Sequence, residues 1–452
     1  MGNMKNDKTF VNPSVTSMDQ YAPYVDALEE LTVKVILSSP TGICSSEIEL
    51  ALDGQPMQAL RERVPISTLK NSGAFFTHHT LSDKLIEPII ADIKEGIPVK
   101  DPACGTGNLL LACARHLPIM SDINDTVTAW GNQLYGHDIH PEFIRATKIR
   151  LLLLAIERGA KGPIPDTDIS EFFPHIQESD YLVDPSLSKV NCIVVNPPYS
   201  IVQAPAQCSW ASGIISNASL FMEKCVTTSD PNTKIVALLP DVLRTGSRYS
   251  KWREMISKHA IIESIKIIGQ FDKLTDIDVF LLRMTAMALP NKKTNDHWWN
   301  LNEKAALPKK VVKDYFNVNV GPVVPHRDPD KGTWYPFIHA KILTPWDTVN
   351  IDTKFKKKRY PVTTFKPPFM VVRRTSRPGD KYRATGTIIT GKKRVYVENH
   401  LIVIKPISGK VSDCKQLLSY LKSDAVNKWL DKRIRCRHLT VGAVKNIPWI
   451  KS

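Results

Sequence analysis

The apolar positions of residues 80–290 alternate between the spacing of strands and that of helices. Short apolar runs typical of buried strands cover residues 98–102, 133–139, 191–195, 234–239, 261–268 and 278–286. Helical spacing covers residues 81–94, the segment after the glycines up to His116, and residues 141–158, 220–227 and 249–258. This alternation predicts a doubly wound, Rossmann-like α/β fold whose sheet is mostly parallel and has helices on both faces.

The pattern changes on both sides of this region. Residues 1–70 mix polar stretches with short helical patterns, such as residues 24–38, and predict an N-terminal helical segment before a domain over 71–290. Residues 291–312 are polar and lysine-rich and predict a linker. Short strand-like runs at 369–372, 386–390, 395–397 and 400–404, with a helical pattern at 413–430, predict a smaller α+β domain over 313–452.

The charge of the 452-residue chain is unevenly distributed. Its net charge is +15, but residues 1–290 contain 26 Lys and Arg against 33 Asp and Glu, whereas residues 291–452 contain 34 against 12. A basic segment attached to a mildly acidic domain favours binding of a polyanion, nucleic acid above all, over a surface charged for solubility alone.

Composition excludes several classes of protein. With 42% hydrophobic and 23% charged residues, the chain is globular. The absence of an apolar run of about 18 residues argues against a membrane span, and the polar first ten residues argue against secretion. The eight cysteines include no C-x-x-C pair and no zinc-like spacing, so we expect reduced thiols, no metal site and a cytoplasmic protein.

The first chemical motif is Asp-Pro-Ala-Cys-Gly-Thr-Gly-Asn at 101–108, where a predicted strand enters a helix. Glycines allow a tight turn and close approach of the backbone to a ligand, and a helix start offers N–H groups to anionic atoms. The Lys-Ser/Thr end of a phosphate loop is missing. The alternative is an ordinary strand–helix turn.

Two acids follow the next strands. Asp138 ends the second strand, where an acid in a nucleotide-binding sheet accepts both ribose hydroxyls; the alternative is an N-cap for the helix that begins at Pro141. Asp180 precedes the next apolar strand, and its carboxylate can accept the amino group of an adenine; the alternative is a solvated loop acid.

The most specific motif is Asn196-Pro197-Pro198-Tyr199, directly after the apolar strand 192–195. Two prolines fix an extended turn that exposes two acceptors, the Asn196 side-chain carbonyl and the Pro197 peptide carbonyl. Both can accept hydrogen bonds from one planar NH₂ group, and Tyr199 offers a ring face for a base. Because the adenine N6 lone pair is delocalised into the ring, two such acceptors favour attack by N6. A structural diproline turn is the alternative.

In this order, the two motifs resemble motifs I and IV of gamma-class, S-adenosylmethionine-dependent N6-adenine DNA methyltransferases, of the type II-like kind with their own target-recognition domain. Gly73 to Thr77 is similar to motif X of that family, although His78 stands where a proline is usual. The resemblance covers residues 70–290 well and the carboxyl-terminal region more weakly. It makes the predicted sheet a methyltransferase domain and the smaller domain a DNA-recognition domain.

The resemblance also assigns roles to residues. It implies an S-adenosylmethionine site with contacts from Thr77, Asp101, Ala103, Gly105, Gly107, Asp138, Ile139 and Asp180. It implies catalysis by the diproline motif, with the target adenine extruded from the duplex and stacked between Tyr199 and Phe271. Direct displacement then needs positioning and dipoles and neither a covalent intermediate nor a metal. Phe271 is otherwise a core residue.

The basic half is expected to bind duplex DNA. Dense positive runs occur at 354–359, 373–377, 392–394 and 433–438. Most such residues contact phosphates and a few arginines read guanine edges, while a solvated surface charge is the alternative for each. The candidates for DNA contact are Lys357, Arg359, Arg373, Arg374 and Arg437.

Other functions stay open. The diproline motif also occurs in methyltransferases of RNA adenine and of protein glutamine, and a modification subunit would leave sequence reading to a separate chain. An inert DNA-binding module is disfavoured by the intact motif. We find no nuclease constellation in the N-terminal segment, so we predict methylation without cleavage; a separate restriction endonuclease acting on the same site is a partner that the resemblance implies.

Overall fold

The structure is a computed structural model that describes residues 15–37, 45–73, 77–162, 171–184, 190–271, 277–288, 298, 310–353, 355–377, 379–434 and 438–449. The chain divides into two compact units. Unit 1 comprises Met1–Leu243 and Ser250–Asp296, and unit 2 comprises Arg244–Tyr249 and His297–Ser452. The finer division predicted at residues 70, 290 and 312 stays a prediction, and most of the predicted linker lies outside the described residues.

The helices described before residue 290 are numbered in chain order. They are α1 (Ala22–Leu37), α2 (Ser45–Leu52), α3 (Gln55–Arg63), α4 (Ile66–Ser72), α5 (His79–Ile86), α6 (Ile90–Lys94), α7 (Asn108–Ala114), α8 (Ile123–Gly131), α9 (Pro141–Glu157), α10 (Asn217–Thr228), α11 (Asp241–Thr245) and α12 (Ser250–His259). Short 3₁₀ helices cover Val15–Tyr21, Glu87–Ile89 and Ser247–Tyr249. The predicted helix over 81–94 is interrupted at Glu87–Ile89, because Pro88 cannot continue the α-helical hydrogen bonds.

The strands of the same region are β1 (Val99–Asp101), β2 (Leu134–Asp138), β3 (Ile176–Glu178), β4 (Cys192–Val195), β5 (Ile201–Gln203), β6 (Ile214–Ser216), β7 (Lys234–Pro240), β8 (Ala260–Gln270) and β9 (Asp278–Ala286). Seven of them form a sheet of order β3-β2-β1-β4-β7-β9-β8. Pairing is parallel from β3 to β7 and antiparallel at β9 and β8. The predicted α/β class with a mostly parallel sheet is confirmed.

The order of the strands determines where a site can form. The chain adds β2 and β3 on one side of β1 and then returns to place β4 on the other side. Strands β1 and β4 are buried along their whole length, as expected for a parallel sheet covered on both faces. Such a reversal opens a crevice at the carboxyl ends of the two central strands, where doubly wound folds bind ligands.

Helix α9 is the main support of this crevice. It begins at Pro141, a residue suited to the first helical turn, and its apolar residues from Phe143 to Ala155 are buried. It packs against α1, α2 and α7 and against β2 and β3. A helix buried on several sides can carry side chains to both the sheet and the N-terminal helices.

Unit 2 is an α+β structure. Its strands are β10 (Phe316–Val320), β11 (Tyr335–Ile338), β12 (Thr348–Asn350), β13 (Lys357–Lys358), β14 (Phe369–Arg373), β15 (Gly386–Thr390), β16 (Tyr396–Val397) and β17 (Leu401–Pro406), and its helices are α13 (Val411–Tyr420), α14 (Asp424–Arg433) and α15 (Val441–Lys445). Further 3₁₀ helices cover Val312–Asp314 and Ala340–Ile342. The sheets have the orders β10-β17-β14-β15-β12 and β13-β11-β16.

The five-stranded sheet of unit 2 is buried on both faces. Along β14, Met370 and Val372 pack in the core below the helices, whereas Phe369 and Val371 pack in a second core on the opposite face. The single helix predicted over 413–430 is wrong in one respect. It is divided into α13 and α14, and the Oγ of Ser423 accepts a hydrogen bond from the N–H of Val426 as the N-cap of α14.

Two further findings concern the described helices and cysteines. The helices in the described part of the chain are too short or too polar to cross a bilayer. The cysteines Cys104, Cys113, Cys192, Cys208, Cys225 and Cys414 are free thiols, and all but Cys208 are buried.

Candidate active site

The carboxyl edge of the parallel sheet brings together residues from four strands. Asp101 and Asp138 end β1 and β2, Asp180 follows β3, and Asn196 follows β4. These strands are neighbours in the order β3-β2-β1-β4. Residues that are up to 95 positions apart in the sequence therefore share one edge of the sheet, as the sequence predicts for a ligand site.

The glycine motif forms a tight loop between β1 and α7. Gly105 and Gly107 have φ angles of +53° and +84°, a region that L side chains rarely adopt. A Cβ atom at Gly107 would lie 2.7 Å from Cγ2 of Thr147 in α9. The loop is fixed from the other side by a 3.0 Å hydrogen bond from the N–H of Gly105 to Oδ2 of Asp138.

Asp138 links the loop to the second strand. Its Oδ2 accepts from Gly105, and its Oδ1 accepts from the N–H of His140 at 3.0 Å. His140, not Asp138, is the N-cap of α9. Burial raises the pKa of Asp138 to about 6, although these backbone hydrogen bonds oppose the shift. Each carboxylate oxygen has a further lone pair for an additional donor, so the expected role toward ribose hydroxyls stays a prediction that the geometry permits.

Asp101 is the most buried acid of the edge, with 1% of its surface exposed. Its Oδ1 accepts a 3.1 Å hydrogen bond from the N–H of Ala103. Burial raises the pKa of Asp101 to about 8; this hydrogen bond opposes the shift, and the charge of Asp138 adds to it. The side chain therefore keeps its proton in the folded protein at a pH where an unfolded chain has lost it.

This shift predicts a pH-dependent effect of Asp101→Asn. Between about pH 4 and about pH 8 the folded protein binds more protons at this carboxyl than the unfolded chain, so rising pH lowers its free energy of unfolding. The asparagine side chain has nearly the same shape but does not titrate, so the variant's free energy of unfolding does not fall with pH at this position. We expect the variant and the wild type to be similar near pH 4 and the variant to be more stable by at least about 2 kcal/mol at pH 8.5. Urea unfolding across that range measures the difference, and a difference independent of pH would contradict the prediction.

Asp180 and Ile139 lie on the exposed side of the same edge. Oδ1 of Asp180 accepts a 2.9 Å hydrogen bond from the N–H of Leu182, and the preceding N–H, of Ser179, donates to the carbonyl of Asp138 at 2.9 Å. Ile139 exposes 47% of its surface. An exposed carboxylate and an exposed apolar side chain suit the amino group and the ring of an adenine, and their assignment stays a prediction.

The diproline motif leaves β4 into the same crevice. Nδ2 of Asn196 donates a 2.9 Å hydrogen bond to Oγ1 of Thr77. Thr77 is buried, with 4% of its surface exposed. The hydroxyl of Tyr199 donates to the carbonyl of Leu238 in β7 at 3.1 Å. Burial raises the pKa of Tyr199. The predicted cofactor residue Thr77 and the predicted catalytic residue Asn196 are thus in direct contact.

Gly73, at the start of the motif X segment, supports the diproline loop from behind. It ends α4 with a φ of +72°, and a Cβ atom there would lie 2.7 Å from the backbone nitrogens of Tyr199 and Ser200. Residues 74–76 of this motif lie outside the described residues. The close approach of two backbones means that only glycine fits at this position.

Gly73→Ala is therefore expected to destabilise the protein and to displace the diproline loop. Gly159→Ala is the matched control, because Gly159 also follows a helix with a positive φ, +101°, but has nothing within 4 Å of an added Cβ. The control loses about 1–2 kcal/mol from backbone conformation alone, and Gly73→Ala loses at least about 3 kcal/mol because backbone atoms must also move. Thermal unfolding of the two variants measures this, and equal losses would contradict the steric argument.

The two predicted stacking residues contact each other. The rings of Tyr199 and Phe271 have centroids 5.8 Å apart and planes inclined by 79°, an edge-to-face arrangement. Phe271 is half-buried against the core of unit 1. A base stacked between them requires parallel rings, so the predicted sandwich requires one ring to rotate, and it stays a prediction.

The residues predicted to contact DNA differ in whether their side chains are exposed or bonded within unit 2. Lys357 is exposed on β13, and Arg359 lies 5.3 Å from the centroid of the Trp334 ring. In contrast, Arg373 donates to the carbonyls of Ala340 and Leu343, and Arg374 donates to the carbonyl of Asn399. The guanidinium groups of Arg373 and Arg374 thus stabilise unit 2 itself. Arg437 lies outside the described residues.

Three residues to which the sequence assigned no role complete the site; one of them, Asn108, ends the glycine motif. Asn108, Thr147 and Arg150 bind the glycine loop or Thr77 through their side chains. The available signal was Arg150 itself, a charged residue inside the apolar run of α9.

Outside this network, potential ligand atoms of Asp53, His78 and His79 lie within 4.8 Å of one another, a grouping that the 2.8 Å hydrogen bond between His79 and Asp53 explains.

Comparison with known proteins agrees with this architecture. Residues 62–285 match the protein family described as N-6 DNA Methylase. This segment, which is just under half of the chain, is similar to that family. Members of the family are methyltransferases that depend on S-adenosylmethionine, which is therefore the cofactor of the domain. Comparison with curated proteins gives no match in sequence.

Solved structures of restriction-modification proteins are similar to part or most of this chain. They include a modification subunit of a type I restriction enzyme from Vibrio vulnificus, with 19% identity, a TM-score of 0.39, and coverage of 55% of this chain and 51% of that one. The M protein of the type I enzyme EcoKI has 16% identity, coverage of 62% and 68%, and a TM-score of 0.38. The type IIG endonuclease BpuSI has 13% identity, coverage of 98% and 71%, and a TM-score of 0.39. The chain thus spans about half the length of the Vibrio vulnificus subunit.

Proposed function

We propose that the protein is a site-specific DNA adenine-N6 methyltransferase that acts on an adenine extruded from duplex DNA. One observation carries this proposal. The Asn-Pro-Pro-Tyr turn leaves the carboxyl end of β4 beside β1 and its glycine loop, and the amide of Asn196 is held there by Thr77. Two oxygen acceptors on a rigid turn, next to a nucleotide-type loop, suit the alkylation of an exocyclic amino group.

The chemistry of the edge residues fits S-adenosylmethionine. We assign Asp138 to the ribose hydroxyls, Asp180 to the adenine amino group and Ile139 to the adenine ring. Thr77 is assigned to the methionine carboxylate, and the loop from Asp101 to Gly107 to the remaining contacts. The lone pairs that remain on the Asp138 carboxylate and the exposed apolar surface of Ile139 support this assignment. When bound, the cofactor supplies a methyl group on a sulfonium sulfur.

The diproline turn prepares the adenine nitrogen. The side-chain carbonyl of Asn196 and the peptide carbonyl of Pro197 accept one hydrogen bond each from the two N6 hydrogens. This pulls the nitrogen toward tetrahedral geometry and directs its lone pair out of the ring plane. The hydrogen bond from Nδ2 of Asn196 to Thr77 fixes which way the amide faces, so that its oxygen is the atom presented to the base. Catalysis then comes from positioning and fixed dipoles.

The aromatic residues would hold the extruded base. Tyr199 is anchored through its hydroxyl to Leu238, so its ring has a fixed place beside Asn196. Phe271 directly follows β8 and contacts Tyr199 edge to face. Extrusion costs a few kcal/mol, which stacking on such rings offsets. Rotation of Phe271 would open the space for the base.

Unit 2 is proposed to bind the duplex and to read the target sequence. Its basic run includes β13, the edge strand of the three-stranded sheet, and Lys356 and Lys357 are exposed there. Next to them, the indole of Trp334 is 55% exposed under the guanidinium of Arg359. Cations beside an exposed aromatic ring are suited to phosphate and base contacts. A separate endonuclease that cleaves the same unmethylated site belongs to this proposal as a partner.

Sequencing of plasmid DNA from cells that express the chain tests the proposed function. Modification-sensitive long reads should show N6-methyladenine at one short motif. The absence of any mark on DNA would reject a self-sufficient DNA methyltransferase. Addition of a separate specificity chain would then identify a modification subunit, and labelled methyl transfer to RNA or protein would identify another substrate.

A further inference from the structure

A buried arginine joins three segments of unit 1. Arg150 of α9 has no exposed surface. Its Nε donates to the carbonyl of Ala51 at 2.8 Å, and Nη2 donates to the carbonyl of Leu52 at 3.1 Å. Its Nη1 donates to the carbonyl of Thr106 and, at 2.7 Å, to Oδ1 of Asn108. One guanidinium thus connects the end of α2 to the glycine loop.

The burial of this charge points to a role other than packing. Burial lowers the pKa of Arg150 to about 10, so the group is charged at neutral pH. Placing a charge in the interior carries a desolvation penalty that an apolar side chain of similar volume avoids. The carbonyls at the end of α2 offset part of this penalty, because the last carbonyls of a helix lack partners within it. An apolar side chain could not make the hydrogen bonds by which the guanidinium of Arg150 joins the end of α2 to the glycine loop.

A chain of hydrogen bonds runs from Arg150 to the candidate catalytic amide. Asn108 accepts from Arg150 through Oδ1 and donates from Nδ2 to the carbonyl of Thr77. Thr77 accepts from Nδ2 of Asn196 through Oγ1 at 2.9 Å. Four residues therefore connect α9, the start of α7, the motif X segment and the diproline turn, with Thr77 contributing its backbone carbonyl on one side and its hydroxyl on the other.

Thr147, one turn before Arg150, anchors the loop in the same way. It is fully buried, and its hydroxyl donates to the carbonyl of Gly105 at 2.9 Å. Two successive loop carbonyls, those of Gly105 and Thr106, are thus bonded by α9. With its carbonyls fixed on the α9 side, the loop keeps one orientation of its peptide groups without a ligand. Preorganisation of this kind reduces the entropy lost on binding.

We infer that Arg150 and Asn108 are positioning residues that hold the cofactor loop and Asn196 in one arrangement before the cofactor binds. The link to catalysis rests on the proposed function of Asn196, and the link to cofactor binding rests on the proposed assignment of the glycine loop and Thr77 to S-adenosylmethionine. Loss of the Asn108 bridge should weaken cofactor binding because the loop and Thr77 become independent. It should also slow methyl transfer, because Thr77, the hydrogen-bond partner of the Asn196 amide, is no longer held in place by Asn108.

Asn108→Asp tests this inference with little change in volume. The carboxylate keeps an acceptor for Arg150 and gains an ion pair with it, so we expect the Tm to be unchanged or higher. The carboxylate of the variant cannot donate a hydrogen bond to the carbonyl of Thr77, and its negative charge repels that carbonyl oxygen. We expect the Kd for S-adenosylhomocysteine, measured by calorimetry on the full chain, to rise about tenfold. The rate of methyl transfer at saturating cofactor should also fall.

The matched control is Asn427→Asp in α14 of unit 2. Asn427 also accepts through Oδ1, from the N–H of Arg383 at 2.9 Å, and donates from Nδ2 to a backbone carbonyl, that of Lys381, at 3.1 Å. The same chemical change there should leave the Kd for S-adenosylhomocysteine at the wild-type value. An equal rise in both variants would show a general effect of the substitution and would overturn the inference.

Arg150→Lys provides a second variant. Lysine keeps the charge, but its single ammonium cannot bond both the end of α2 and the glycine loop as the guanidinium does, so the Kd should again rise severalfold. A wild-type Kd and transfer rate in either folded variant would overturn the inference. Because cofactor affinity is measured without DNA, a wild type that binds S-adenosylhomocysteine but leaves DNA unmarked would reject the proposed function and not this inference.

Discussion

Asn196→Ala is expected to lower the rate of methyl transfer to DNA about 10²- to 10³-fold while changing the affinity for S-adenosylhomocysteine little. The substitution removes the side-chain carbonyl that would accept one N6 hydrogen and leaves only the Pro197 carbonyl. Loss of one preorganised polar group at a reacting centre typically has an effect of this size. Transfer of a labelled methyl group under single-turnover conditions measures the chemical step directly.

Asn191→Ala is the control for this experiment. Asn191 precedes β4, whereas Asn196 follows it, so the same substitution is made at opposite ends of one strand. The backbone carbonyl of Asn191, which accepts from the N–H of Lys234, is retained in the variant. Its transfer rate should equal that of the wild type. Full activity of Asn196→Ala, or an equal loss in both variants, would reject the assigned role of the amide.

Replacement of Lys356, Lys357, Lys358 and Arg359 by glutamine is expected to weaken DNA binding about 10- to 100-fold at low salt. Each lost phosphate contact should also reduce the slope of log K against log salt by about 0.9. Neutral glutamine avoids placing a carboxylate beside Asp330, which accepts from Nε of Arg359. Binding of a labelled duplex across a series of salt concentrations gives both quantities.

The control for the basic strand removes the same charge elsewhere. Lys161, Lys251, Lys258 and Lys266 are exposed residues of unit 1. Their replacement by glutamine changes the net charge equally and should leave the salt slope unchanged. If the two quadruple variants lose affinity and slope to the same extent, the effect belongs to net charge and the duplex is bound by another surface.

Most strands with a continuous apolar pattern in unit 1 were predictable from the sequence. Strand β9 has the bounds that the pattern gives, and β1, β2, β4 and β7 differ from theirs by one or two residues. Strand β3 was missed because it has three residues, two of them exposed. The hairpin of β5 and β6 was missed for a similar reason, since Ile201 and Gln203 are exposed. Short, half-exposed strands form through pairing with neighbours and leave little periodicity in the sequence.

The helix over 413–430 shows a different limit. Its apolar spacing continues across both α13 and α14, but Ser423 accepts a hydrogen bond from the N–H of Val426 and starts a new helix. Serine in a helix interior and serine at an N-cap look alike in a single sequence. Whether such a serine continues one helix or starts a second one depends on how the helices pack against the sheet of unit 2.

The candidate site was partly predictable for a physical reason. Residues at the ends of strands can be identified once the strands are known, and Asp101, Asp138 and Asn196 fall at such ends. The bridge from Arg150 through Asn108 to Thr77 was not predictable, because it joins segments 31 and 42 residues apart through side-chain geometry. The close approach of Gly73 to the backbone of Tyr199 depends on tertiary packing in the same way.

The burial of Arg150 has a consequence for how this chain can be divided or recombined. The segment that carries the family signature begins at residue 62, yet the arginine depends on the carbonyls of Ala51 and Leu52. Tyr21 likewise packs edge to face on Phe143 of α9, with ring centroids 5.4 Å apart. A fragment cut at residue 62 would keep the signature and lose part of its own interior. In an exchange of modules with a related protein, the helices before that boundary would have to move with the seven-stranded sheet.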